Sequence, residues 1–419
     1  MNPERVTSRD YAHPARPRAI RMFNRVAPTP LLPKLSASAI IDRARRATGE
    51  RRFSDESFVE PLEVLVQSIN EEARLHALGR VIQQTRLVNL VANRLRIDAL
   101  YRAHPEIERT SLPPMLIIAG IPRTGTTLLQ RLLAAHPDAR WLPSWEALNP
   151  APLRGERHDQ SHRRRRVARQ STAALRYLAP DFFAIHPIEP DAPEEEILLL
   201  DMAFLSQTAE AMLHVPRYAA WAEAADHTPA YGWLRRTLRL LQWLRPRSHW
   251  ILKTPNHIEH LDALLDQFPE ALVIQTHRHL TEVLGSFCSM VAHGCGIFSD
   301  HVDPIEVGRH WQRKIAYVLD KAARDRASSD RETRVIDVRY SDLVADPVRT
   351  IRSIYEQAGI DALDWTDAQE QARTRNRKDR YGRHVYALED FGLDANTIAD
   401  IFADYHERYG IAPAQGANA

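Results

Sequence analysis

The sequence predicts an α/β protein whose parallel sheet is covered by helices on both faces. Three observations lead there. Short, nearly unbroken apolar runs each feed a helical pattern, a glycine-framed turn joins the first run to its helix, and polar residues collect just after the runs. Strands buried on both faces read as continuous rather than alternating apolar segments. Ligands in such sheets sit beyond the carboxyl ends of the strands, so the residues that follow each run deserve inspection first.

Residues 1 to about 110 alternate arginine with apolar positions at helical spacing, most clearly in EEARLHALGRVIQQTRLVNLVANRLRIDALYRA, and hold no catalytic grouping. They read as a helical N-terminal region, with the proline-marked RVAPTPLLPKL as an extended lead-in. From Pro114 the pattern changes: PMLIIAG leads into TLLQRLLAAH, HWILK into HIEHLDALLDQF, EALVIQTHR into TEVLGSFCSMV, and TRVIDVRY into DPVRTIRSIYEQAG. A helical insertion at about 160–245 interrupts this alternation, and IFADYHERYG closes the chain as an amphipathic helix. The expected organisation is a helical region, 1–110, followed by one domain, 111–419, that carries the insertion.

Composition narrows the function. A formal net charge of +2 over 419 residues is no polycation, so nucleic acid is not the expected partner and any anion must be held locally. No apolar run approaches the roughly 18 to 20 residues that cross a bilayer, and the arginine-rich N-terminus lacks the apolar core of a secretory signal. A cytoplasmic chain is expected. Cys288 and Cys295 are too few for a disulfide framework and read as packing residues.

From Gly120 to Thr127 the sequence keeps the phosphate-cradling frame G-x-x-x-x-G-K-[ST], except that Thr126 replaces the lysine. The two glycines let the backbone approach a ligand, and the amides of Arg123, Thr124, Gly125, Thr126, Thr127 and Leu128 meet it at a helix N-terminus. One guanidinium, two hydroxyls and no lysine fit a shorter, metal-free phosphate group better than a magnesium triphosphate. Arg278 ends a strand and Ser286 lies in the next helix, where an arginine and a hydroxyl can meet one anion. Lys253, one of only five lysines, directly follows an apolar strand.

These residues resemble a known family. GIPRTGTTLLQRLL, LVIQTHRHLTEVLGSFCSM and VRYSDLVADP, in that order, look like the sulfotransferases that use 3'-phosphoadenosine-5'-phosphosulfate, in particular their bacterial branch and the tyrosylprotein enzymes. The resemblance runs from residue 114 to about 410 and implies a P-loop-like three-layer domain. It implies that Arg123 to Thr127 bind the 5'-phosphosulfate, that Arg278 and Ser286 hold the 3'-phosphate, and that Tyr340 packs on the adenine. The missing lysine then has a reason, because this donor has no β/γ-phosphate to reach. Lys253, in ILKTPNH, matches the branch's L-K-[ST]-P-x-H, and with Arg123 it is the candidate for stabilising charge in the transfer.

Two residues compete as the proton acceptor. Glu146, in RWLPSWEALNP, stands where the tyrosylprotein enzymes carry their catalytic glutamate and is favoured. His257, four residues after Lys253, opens a helix whose dipole favours a neutral imidazole. The implied reaction moves a sulfuryl group to a hydroxyl or amine of a small molecule and releases adenosine 3',5'-bisphosphate, without a metal. Two rivals are a P-loop small-molecule kinase using ATP and a non-catalytic nucleotide-binding regulatory protein. The absent lysine weighs against the first, and the joint presence of Glu146, Lys253 and His257 against the second. His257 and His260 lack zinc-helix spacing. SHRRRRVAR reads as a solvated helix face and IEPDAPEEE as an acidic helix cap. The resemblance implies that the basic segment 373–393, where Arg377, Lys378, Arg380 and Arg383 offer charges, closes the donor site.

Overall fold

A computed structural model describes residues 6–27, 34–327, 330–361, 370, 374 and 381–412. Four helices come first: α1 (Arg18–Val26), α2 (Ala37–Thr48), α3 (Val59–Glu71) and α4 (Ala77–Ala103). The sheet then begins with β1 (Met115–Gly120), α5 (Thr126–Leu133), β2 (Ala139–Trp141) and α6 (Ser144–Leu148). Helices α7 (His162–Leu178), α8 (Pro180–Ile185), α9 (Ile197–Leu200), α10 (Thr208–Met212), α11 (Pro216–Ala224) and α12 (Thr228–Leu244) separate β2 from β3 (His249–Lys253). The chain continues through α13 (Asn256–Glu259), α14 (Leu261–Gln267), β4 (Ala271–His277), α15 (Leu280–Cys295), α16 (Pro304–Arg326), β5 (Val335–Arg339), α17 (Tyr340–Ala345) and α18 (Pro347–Gln357). Two short helices, Ala395–Ile401 and Ala403–Arg408, end it, so the expected closing helix is broken at Phe402.

The five strands are parallel, in the order β2-β3-β1-β4-β5. Strand β1 is fully buried along its length, and its residues alternate between two apolar layers. Leu116 and Ile118 pack with Leu129, Leu132, Ile351 and Tyr355 under α5 and α18. Met115, Ile117 and Ala119 face the larger core, which also contains buried residues of α2, α3, α4, α12, α15 and α16. The period of two along a strand thus builds a three-layer α/β domain, and the N-terminal helices share its core. Arg94 of α4, fully buried, fastens this packing: its guanidinium lies 3.7 Å from the Trp233 ring of α12 and 4.4 Å from Phe58, and donates to Asp55 Oδ2 at 2.8 Å.

The strand order fixes where a ligand goes. The chain leaves β1 toward β2 and β3 on one side and reaches β4 and β5 on the other, so the sheet reverses at β1. The crevice at such a switch point lies beyond the strand ends, and β1 ends in the glycine loop. Register places Ile118 beside Lys253 and Gly120 beside Thr276, so the loop emerges between the ends of β3 and β4.

Helix α16 packs against α13, which follows β3. It starts with Pro304 after Asp303, whose carboxylate accepts from the amides of Ile305 at 2.9 Å and Glu306 at 3.3 Å. Midway along it Lys314, 2% exposed, donates to Glu259 of α13 at 2.6 Å and Glu223 of α11 at 3.1 Å. Glu259 in turn accepts from Gln207 Nε2 at 2.7 Å, and the Gln207 amide donates to Asn256 Oδ1 at 2.9 Å. Replacing Lys314 by methionine leaves these carboxylates without their cation, so Lys314→Met is expected to lower the unfolding free energy by about 3–5 kcal/mol. Denaturant titration checks this, and an unchanged midpoint would contradict it.

Candidate active site

The loop after β1 has its shape because of what surrounds it. A Cβ on Gly120 would lie 2.1 Å from Thr276 Oγ1, so only glycine lets β1 and β4 end this close. Thr124 Oγ1 donates to the Ile121 carbonyl at 2.6 Å and meets Thr276 Oγ1 at 2.6 Å, which ties the loop to β4. Gly125 sits at φ +90°, where a Cβ would also stand 2.7 Å from the Tyr340 ring. Arg123 itself has a positive φ of 72°. This strained turn is followed at once by α5, whose first amides, from Thr126 onward, point out of the helix.

Arg123, Arg278, Ser286 and Tyr340 converge on this turn from three elements. Arg123 Nε donates to Ser286 Oγ at 3.1 Å, and Arg278 Nη1 donates to the Arg123 carbonyl at 3.2 Å. Arg278 also pairs with Glu282 at 2.8 Å and lies 4.3 Å from the centre of the Tyr340 ring. No carboxylate pairs with Arg123 among the described residues. Burial pushes its guanidinium below the ordinary arginine range, and the like charge of Arg278 adds to that. An anion in the turn would relieve both.

Lys253, at the end of β3, forms the second half of the site. Its amide donates to Glu196 Oε2 at 2.8 Å, and its ammonium pairs with Glu195. His257 is fully buried: Nε2 meets Glu196 Oε1 at 2.7 Å and Nδ1 meets the Tyr231 hydroxyl at 2.9 Å. Nε2–H donating to the carboxylate and the phenol donating to Nδ1 satisfies all three groups. Both ring nitrogens are therefore engaged. His260 points elsewhere and stacks on His227 at 3.6 Å. Among the described residues no three His, Cys, Asp or Glu side chains group to hold a metal ion.

Glu146 is held by two arginines. It is 1% exposed and accepts from Arg140 at 2.6 Å and Arg245 at 3.1 Å. Arg245 precedes β3 by four residues, at the end opposite Lys253. The residue expected from the sequence to be the base is thus buried between two arginines, which hold its carboxylate.

Two expectations change. The run 188–196 does not cap a helix: Glu196 precedes α9 without a capping hydrogen bond, and its carboxylate, with that of Glu195, turns to the end of β3. Within SHRRRRVAR, Arg164 turns inward, pairing with Glu156 at 3.3 Å and lying 4.9 Å from the Trp145 ring. Arg377, Lys378 and Arg380 lie outside the described residues.

One site residue carried no sequence signal. His186, after α8, has Glu194, Glu195, Lys253 and Arg123 as its charged neighbours, and burial lowers its imidazole pKa before these act. A separate cavity of about 90 Å³ lies between α10, α11, α15 and α16 and is lined by none of these residues.

The geometry gives an α/β fold with cationic side chains gathered at the strand ends, and comparison gives its family. Residues 114–367, more than half of the chain, match the sulfotransferase family, and the chain belongs to it. It is a sulfuryl-transferring enzyme. Its fold resembles sulfotransferase STF1 from Mycobacterium tuberculosis H37Rv, at 29% identity and a TM-score of 0.75, over 88% of this chain and 99% of that one. It also resembles sulfotransferase STF9 from Mycobacterium avium, at 27% identity and a TM-score of 0.78, over 90% and 97% of the respective chains. No curated protein matches the chain.

If His257 is a clamped partner of Glu196, then His257→Ala should cost about 3–5 kcal/mol of stability in addition to activity, as loss of one member of a buried pair does. Stability within about 0.5 kcal/mol of wild type, the usual range for a surface change, would contradict the clamp.

Proposed function

We propose that the enzyme transfers the sulfuryl group of 3'-phosphoadenosine-5'-phosphosulfate to a hydroxyl or amine of a small-molecule acceptor, releasing adenosine 3',5'-bisphosphate. The observation that carries this reading is the pair Arg123 and Arg278 around one glycine turn, with no carboxylate on Arg123 among the described residues. The fit is chemical. The α5 amides with Arg123 suit the 5'-phosphosulfate, Arg278 with Ser286 suits the 3'-phosphate, and Tyr340 offers a ring to the adenine. None of these groups demands a metal bridge.

In this reading Lys253 exchanges its Glu195 partner for oxygens of the transferring group and, with Arg123, stabilises the charge that grows on the leaving phosphate. Glu195, released from the ammonium and partly exposed, accepts the acceptor's proton in place of Glu146 and His257. The acceptor oxygen or nitrogen bonds to sulfur as the bond from sulfur to the phosphate oxygen breaks. The electron pair leaves with the bisphosphate. His186, whose imidazole burial holds below its ordinary range, is the residue proposed to meet the acceptor as it enters. Glu196, His257 and Tyr231 hold the end of β3 rigid while this happens.

Two experiments test this account. Calorimetric titration should show wild-type protein binding adenosine 3',5'-bisphosphate without Mg²⁺, and Arg278→Ala weakening it by about 1.5–3 kcal/mol, as for a hydrogen bond to a charged group. Binding of ATP with Mg²⁺ in its place would overturn the donor assignment. For the base, Glu195→Gln is expected to lower kcat by about 10² to 10⁴ with bisphosphate affinity kept. Glu146→Gln should act on stability instead. A reversed pattern in steady-state kinetics and melting would return the role to Glu146.

A further inference from the structure

Helix α1 takes no part in the site and buries none of its residues. Its sequence, RAIRMFNRV, is strongly two-sided. At about 100° per residue, Ala19, Met22, Phe23 and Val26 share one face, while Arg18, Arg21 and Arg25 share another. Met22, Phe23 and Val26 are 70%, 44% and 74% exposed, and the three arginines are exposed as well. A single exposed apolar side chain needs no explanation, but three at i, i+1 and i+4 of one helix do.

The helix is fixed to the body at both its approach and its middle. Arg16 donates to the Ser299 carbonyl at 2.8 Å, and Asn24 Oδ1 accepts from the Leu78 amide of α4 at 3.1 Å. The apolar face is thus displayed by a held helix. From Pro14 to Lys34 the sequence has five basic residues and no acidic one. A second copy of this helix would bring arginines against arginines, whereas an anionic lipid surface complements both faces at once.

We propose that α1 docks the enzyme on anionic membranes. Met22, Phe23 and Val26 enter the boundary between headgroups and acyl chains, and Arg18, Arg21 and Arg25 pair with lipid phosphates. The attachment is peripheral. No helix among the described residues is long and apolar enough to cross a membrane. The segment leading to α1 is tied to the body as well: the Thr7 amide donates to the Arg383 carbonyl at 3.0 Å, and the Tyr11 hydroxyl meets Ser289 Oγ at 3.1 Å.

The test is co-sedimentation of the full chain with vesicles of phosphatidylcholine alone and of phosphatidylcholine mixed with phosphatidylglycerol. Wild type should pellet with the mixed vesicles only, and less so as salt is added. Two triple variants, Met22→Ser/Phe23→Ser/Val26→Ser and Arg18→Gln/Arg21→Gln/Arg25→Gln, should each lower the partition coefficient by about tenfold or more. Since these side chains face solvent, far-ultraviolet dichroism and bisphosphate binding should stay as in wild type. Failure of wild type to bind the mixed vesicles at low salt would overturn the proposal. So would variants that bind like wild type, or a wild-type dimer in solution that the serine variant converts to monomer.

Discussion

The site depends on one buried carboxylate. Glu196 is 0% exposed, accepts from the Lys253 amide and pairs with His257, so it joins the loop before α9 to the end of β3 and the start of α13. A buried carboxylate without partners is expensive, and these bonds are what make its position tolerable. Because Glu196 is fixed, Glu195 beside it is directed at the Lys253 ammonium. Tyr231 closes the other side of the imidazole, and burial holds its phenol protonated so that it remains a donor. Lys253 is thereby aimed by residues far from it in sequence.

The other half of the crevice is governed by backbone space rather than by charge. Gly120 and Gly125 are required because Thr276 and Tyr340 occupy the places where side chains would stand. That closeness brings Arg123 against Ser286 and Arg278 against the loop carbonyl. A chain with a net charge of only +2 thus concentrates Arg123, Arg278 and Lys253 at the ends of adjacent strands. Local potential, rather than overall charge, suits such a crevice to an anionic donor.

The sequence made the layers legible because fully buried parallel strands leave continuous apolar runs, and all four expected runs are strands of the sheet. The glycine turn was legible for a related reason: its frame follows from the steric needs of a strand, a turn and a helix in succession. The acid that serves Lys253 was not. Glu146 follows a strand, which in this class of sheet suggests a ligand-facing position. It is claimed instead by Arg140 and by Arg245, 99 residues away in sequence. Glu195 and Glu196 sit before a helix, where acidic residues ordinarily act as caps, and nothing local shows that they turn away from it. His186 has no motif at all; only the fold brings it to Lys253. The broken final helix and the inward Arg164 have the same origin, since tertiary partners overrode a local pattern.

The central claim is that the glycine turn and the two arginines form a site for the bisphosphate end of the donor. The most direct measurement is a crystal structure of the protein with adenosine 3',5'-bisphosphate. The account predicts the 5'-phosphate in the turn from Gly120 to Thr127, the 3'-phosphate between Arg278 and Ser286, and the adenine against Tyr340. A nucleotide bound elsewhere, or one in this crevice with its 3'-phosphate away from Arg278, would contradict it.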